Sequence, residues 1–185
     1  TAYENLYLMP SSPYLAQIEK DLEARYKIYK LRDALAKLDQ EYDRIYIDTP
    51  PNFNFYSKSA LIAADTVLVP FDCDSFARQS LYELMNNIEE LQEDHNPDLE
   101  VEGIVINQFN AQARLPITLV NELKAEGFPV LDTYLTSSVK MRESHYEMKP
   151  LIYLAPSHKL TQTYIDLHAQ LEKNVRRRQR AAKRQ

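Results

Sequence analysis

Short apolar runs alternate along this chain with longer stretches whose apolar positions recur at three and four residues. The runs are "NLYLM" (5–9), "RIYID" (44–48), "TVLVP" (66–70), "VEGIVIN" (101–107) and "FPVLDTYL" (128–135). Each predicts a short strand. Between them, Leu15, Ile18 and Leu22, then Ile28, Leu31, Leu35 and Leu38, then Ala77, Leu81, Leu84, Ile88 and Leu91 mark amphipathic helix, as do Leu160, Tyr164, Leu167, Leu171 and Val175 near the end. A further helix runs through Ala60 to Ala64. Punctuation agrees: Pro10 and Pro70 close strands, Asp74 reads as the cap of a helix beginning at Ser75, Pro97 follows a helix, Pro116 suits a first helical turn, and Gly127 caps that helix. Strands separated by helices predict an α/β fold, a parallel sheet flanked by helices on both faces. In such folds ligands bind beyond the carboxyl ends of the strands, which places Asp48, Asp72, Asn107 and Thr136 along one rim.

With 185 residues, 44% of them hydrophobic and 26% charged, the chain has the make-up of one globular domain, expected to span 1–172. The last thirteen residues, "KNVRRRQRAAKRQ" (173–185), hold seven Lys or Arg and no acid. Removing them leaves 22 − 7 = 15 basic against 27 acidic residues, so an acidic body of net charge −12 wears a basic helix end or tail. Such a tail is a solvated helix end, or a surface for phosphate backbones or anionic lipid. No apolar run is long enough to cross a bilayer, and "TAYENLYLMP" lacks a signal peptide's basic start, so a cytoplasmic protein is expected. The single Cys73 reads as a small apolar packing residue, and His95, His145, His158 and His168 have no metal-ligand spacing.

The stretch "YDRIYIDTPP" (42–51) carries the sharpest chemistry. A carboxylate fixed at the end of a strand suits Mg²⁺, which demands rigid, near-octahedral oxygen ligation. The plainer alternative is a strand-terminating Asp that caps the next turn. An Asp that accepts a phosphoryl group, with Lys149-Pro150 as its lysine-proline partner, fits poorly. That arrangement needs an acidic pair after the first strand, and "NLYLMPSS" offers none.

The segment "YDRIYIDTPPNFNFYSKSALIAADTVLVPFDCDSFARQSL" resembles the central part of the ParA/MinD family of partition ATPases. The match runs through Asp48, Pro50, Pro51, Ala60, Leu61, Ala63, Ala64, Asp65, Val67, Leu68 and Pro70, and continues at Cys73, Ala77 and Leu81. "NLYLMPSSPYLAQIEKDL" is similar to an earlier segment of the family, with Glu19 at its acidic position. "VLDTYLTSSVKMRESHYEMKP" and "PSHKLTQTYIDL" resemble its closing segments.

The resemblance implies a deviant phosphate-loop NTPase fold, ATP and Mg²⁺ as ligands, a homodimer, nonspecific DNA and a ParB-like or cargo adaptor as partners, and a nucleoid-associated place in the cytoplasm. It implies Asp48 as the catalytic, magnesium-side acid acting through water, and Asn107 and Thr136 as nucleotide-side residues, Asn107 at the adenine edge. Asp72 and Asp74 line a dimer face or cap the helix beginning at Ser75, with Asp74 the better cap. Lys140 and Lys159 stand at basic positions implicated in DNA contact, and Arg176, Arg177, Arg178 and Arg180 extend them. Attachment to membrane by the tail is not expected, because no large apolar residue follows Val175.

Two departures stand out. Thr136 replaces the family's proline. The family's Gly-rich phosphate loop cannot be written from Gly103 and Gly127, the only two glycines in these 185 residues. The expectation is therefore a partition ATPase lacking its N-terminal phosphate-loop segment and not turning over ATP alone; the alternative is a non-enzymatic ParA-like DNA-binding or protein-interaction module.

Overall fold

A computed structural model of the chain describes residues 1–182, without the side chains of Ser75, Phe76 and 178–182. The elements are α1 (Leu15–Ala24), α2 (Lys30–Leu35), α3 (Phe55–Ala63), β1 (Thr66–Asp72), α4 (Ser75–Asp94), β2 (Glu100–Asn107), α5 (Arg114–Ala125), α6 (Val139–Tyr146), α7 (Leu151–Leu154) and α8 (Lys159–Ala182). They divide between two compact units, one of residues 1–65 and 90–99, the other of 66–89 and 100–185.

In the second unit β1 pairs parallel with β2, from Thr66 beside Glu100 to Asp72 beside Asn107. Pro70 does not close β1 but stands inside it. On its other side β1 meets no strand among the described residues, so the missing N–H of Pro70 costs the sheet no ladder bond. The predicted strand 128–135 is realised as an interrupted parallel pairing with β2. The Ile104 N–H donates to the Pro129 carbonyl (2.9 Å) and its carbonyl accepts from Leu131 N–H (3.0 Å); farther on Leu135 N–H donates to Ile106 (2.9 Å) and Phe109 N–H to Leu135 (2.8 Å). Four residues advance from Leu131 to Leu135 while β2 advances two from Ile104 to Ile106, so the ladder bulges and regains register at Leu135.

The alternation of β2 builds two cores. Ile104 and Ile106 face α4 and α5, packing with Val69, Phe71, Leu81, Val120 and Leu123. Val105 faces the other way, into Leu131, Leu135, Leu151, Leu160 and Leu167. The sheet is thus covered by helices on both faces, as the apolar pattern requires. Gly103 belongs to the second face, where an added Cβ would lie 2.7 Å from Cγ of Leu131. Only a residue without a side chain admits the 129–135 segment at that distance. Across the first face, Arg78 of α4 reaches Glu122 (2.7 Å) and Glu126 (2.5 Å) of α5.

In the first unit α1 and α2 pack on α3. The expected helical stripe from Leu15 to Leu38 is broken at Tyr26, whose φ of +53° ends one helix before the next begins. The runs 5–9 and 44–48 carry no strand. Leu8 and Tyr46 are 75% and 77% exposed, and Ile47 alone of 44–48 is half-buried. An apolar run becomes a parallel strand only where neighbouring strands accept its ladder bonds, and these runs have none among the described residues.

Candidate functional site

Asp48 therefore ends an exposed, unpaired segment rather than a buried strand. The turn after Asp48, by contrast, is held in place. Asn54 caps α3, its Oδ1 accepting from the Tyr56 and Ser57 N–H groups at 3.1 Å each. Buried Ser57 turns its Oγ back to donate to the Asn52 carbonyl at 2.6 Å, with the Pro50 carbonyl at 3.4 Å. Glu19 of α1 accepts from Phe55 N–H at 3.3 Å, adding a carboxylate to the same helix N-terminus, where the helix dipole favours negative charge. At the far end of α3, Asn96 donates to the carbonyls of Leu61 and Ala64 at 2.9 Å each. The Asp48-Thr49-Pro50-Pro51 turn is thus tied to a helix held at both ends. Asp48 itself makes no hydrogen bond or ion pair among the described residues, which leaves both carboxylate oxygens open to a ligand.

Of the four residues expected along one rim, Asp72, Asn107 and Thr136 lie in the second unit at the carboxyl ends of β1 and β2, whereas Asp48 belongs to the first unit and ends no strand. Asn107 Nδ2 donates to one carboxylate oxygen of Asp72 at 2.9 Å, and Gln108 Nε2 donates to the other at 3.0 Å. Gln108 has φ of +50°, a left-handed turn that brings its side chain back to the strand end. Beside it, Gln108, Phe109, Asn110, Ala111, Gln112, Thr136 and Ser137 line an open cleft of about 350 Å³. Asn107 and Thr136 are therefore brought to the same sheet end. The sequence reading missed Gln108, although an amide pair directly after a strand was the available sign.

Asp72 does not cap a helix; Asp74 does, its Oδ1 accepting from Ala77 N–H at 2.7 Å. Cys73 between them is half-buried and packs on the first core face. Burial, and then the charges of Asp72 and Asp74, push its thiol up to about 11.

The basic residues lie on the helices of the second unit. Lys140, in the first turn of α6, is paired with Glu143 at 2.6 Å, which raises its pKa. Lys159 opens α8, and Arg176 and Arg177 lie exposed near its end. The side chains of Arg178 and Arg180 lie outside the described residues. Among the described residues no helix is long and apolar enough to cross a membrane, and no cluster of three metal-ligating side chains occurs.

A parallel sheet covered on both faces, with polar groups gathered at its carboxyl edge, defines an α/β protein whose ligand edge lies beyond the strand ends. A family profile described as an AAA domain matches residues 1–101. The sporulation initiation inhibitor protein Soj of Bacillus subtilis is 31% identical over 94% of this chain and 70% of its own length. The chromosome partitioning protein ParA of Myxococcus xanthus is 32% identical over 94% of this chain and 62% of its own. Among solved structures, cobyrinic acid a,c-diamide synthase from Mycobacterium smegmatis superposes with a TM-score of 0.71 at 25% identity, over 85% of this chain and 58% of that one. The same enzyme has been solved with bound ADP and magnesium, matching at 28% identity and a TM-score of 0.66 over 71% of this chain and 54% of that one. The chain belongs to the ParA/MinD family of partition ATPases. It spans 62 to 70% of the length of these two relatives.

Proposed function

We propose that this chain forms part of a ParA-type ATPase that segregates plasmid or chromosomal DNA, or positions another cargo, by ATP-dependent dimerisation and nonspecific DNA binding. The match to a chromosome partitioning protein across 94% of the chain carries the reading. Asp48 takes the magnesium-side role. Mg²⁺ in nucleotide sites is held by one or two carboxylates together with phosphate oxygens and water, so a single open carboxylate on a turn tied down by Ser57 fits it. Mg²⁺ held there would supply charge neutralisation to the phosphates of a bound nucleotide. Asp48 orients its water shell, and the Ser57 and Asn54 contacts keep the turn from moving away.

Asn107 faces the adenine edge, with Thr136 on the same nucleotide side. Lys140, Lys159, Arg176, Arg177, Arg178 and Arg180 supply charge to DNA phosphates, and Lys140 exchanges Glu143 for phosphate when it does so. A ParB-like or cargo adaptor completes the cycle, on the nucleoid in the cytoplasm. A binding module without turnover is the second reading.

Titration calorimetry with Mg·ATP separates the two. The chain extended upstream of Thr1 through the family's phosphate loop is compared with its Asp48→Ala variant and with residues 1–185. Binding by the extended form, with hydrolysis lowered on the order of 100-fold or more by Asp48→Ala, is expected. Full hydrolysis in that variant removes Asp48 from the site, and failure of the extended form to bind ATP selects the second reading.

A further inference from the structure

Asp72, Asn107 and Gln108 form a polar cluster whose hydrogen-bonding pattern is dictated by chemistry. A carboxylate only accepts hydrogen bonds, so the Asn107 amide must turn its NH₂ end toward Asp72, and Gln108 must do the same at the second oxygen. The opposite amide orientation would set two acceptor oxygens against each other. Among the described residues neither amide carbonyl oxygen accepts a hydrogen bond. Each amide also keeps one N–H beyond the one given to Asp72. Asn107 therefore presents a fixed acceptor beside a donor, complementary to the 6-amino group and N7 of adenine. A 6-oxo purine offers two acceptors there, and a freely rotating amide would partly accommodate it by flipping.

We propose that Asp72 is a positioning residue that locks the Asn107 amide in the orientation reading a 6-amino purine and rejecting a 6-oxo purine. The proposal rests on the base-facing role proposed for Asn107. Its physical basis is the register of the sheet: Asp72 and Asn107 are paired at the last position of β1 and β2, so neither needs a loop to find the other. Gln108 saturates the second oxygen, which keeps the carboxylate from rotating away from Asn107.

The test is the ratio of ATP to ITP affinity, measured by calorimetry on the protein extended through its phosphate loop, for wild type, Asp72→Asn and Asn107→Ala. Thermal melting of each variant reports folding separately. Wild type is expected to prefer ATP by on the order of 10- to 100-fold, the usual discrimination of one bidentate amide pair. In Asp72→Asn the new amide can donate to Asn107 as well as accept from it, so Asn107 flips freely and ITP binding tightens until the ratio falls to within about threefold. Loss of affinity for both nucleotides at an unchanged ratio would mark Asp72 as merely structural and overturn the proposal. An unchanged ratio in Asp72→Asn beside a collapsed ratio in Asn107→Ala would also overturn it, while leaving the base-facing role of Asn107 intact. If Asn107→Ala keeps the wild-type ratio, that role fails and the proposal fails with it.

Discussion

Cys73 shows how a single residue inherits its chemistry from the neighbours the sheet gives it. Half-buried and flanked by Asp72 and Asp74, its thiol is raised to about 11 from an ordinary 9.0, chiefly by burial. The folded protein therefore holds the proton more tightly than the unfolded chain. That stabilisation is fully present below pH 9 and is lost as pH rises through 11. Since the thiolate is the reactive form, alkylation by iodoacetamide at pH 8 is expected to run on the order of 100-fold slower in the folded protein than in urea. Equal rates would show that the site is neither shielded nor charged as described. Residue roles were legible from sequence where the partner is local, as with Asp74, which caps a helix three residues away. Glu19 stood out only by resemblance, and its contact with Phe55, 36 residues on, exists only once α1 packs against α3.

At the scale of elements, helix α5 ends as its sequence demands. Gly127 adopts φ of +87°, Phe128 N–H donates to the Leu123 carbonyl at 3.0 Å and Gly127 N–H to Lys124 at 3.1 Å. This is a Schellman closure, and Phe128 packs on the core that contains Leu123. Open space surrounds the position, so the cost of a side chain there is conformational. Gly127→Ala is expected to lower stability by about 1–2 kcal/mol, read from the urea midpoint at unchanged slope. No loss of stability would contradict the left-handed turn. The helices that were legible advertise a buried face every three to four residues, whereas short α6 and α7 carry no such stripe and were not read. Strands β1 and β2 were legible because each finds the other. The run 44–48 has the same apolar character and makes no ladder, because a strand is a property of two segments and composition reports only one. The 129–135 pairing lies between these cases, since its bulge is set by where Leu135 meets Ile106 rather than by any residue type.

The whole molecule carries its charge unevenly, and this decides how it would meet DNA. Helix α8 runs from Lys159 to Ala182, so the basic stretch begins on a continuous helix whose earlier residues Leu160 and Leu167 are anchored in the second core face. Arg176 and Arg177 are thus held out from a fixed base, against a body of net charge −12 that repels phosphate elsewhere. On the proposed function, a chain so divided would meet DNA through its basic residues, and binding would follow the release of counterions from phosphate. Affinity for a random duplex is expected to fall on the order of 10- to 1000-fold between 50 and 200 mM salt, as for a few to several phosphate contacts. Replacing Arg176 and Arg177 by alanine removes two of those contacts, so the slope of log affinity against log salt is expected to flatten by about 2 at every sequence tested. Fluorescence anisotropy on two unrelated duplexes measures both quantities. A slope unchanged by the double substitution would move the proposed DNA contact to Lys140, whose charge Glu143 already engages; binding insensitive to salt would remove DNA from the proposed function altogether.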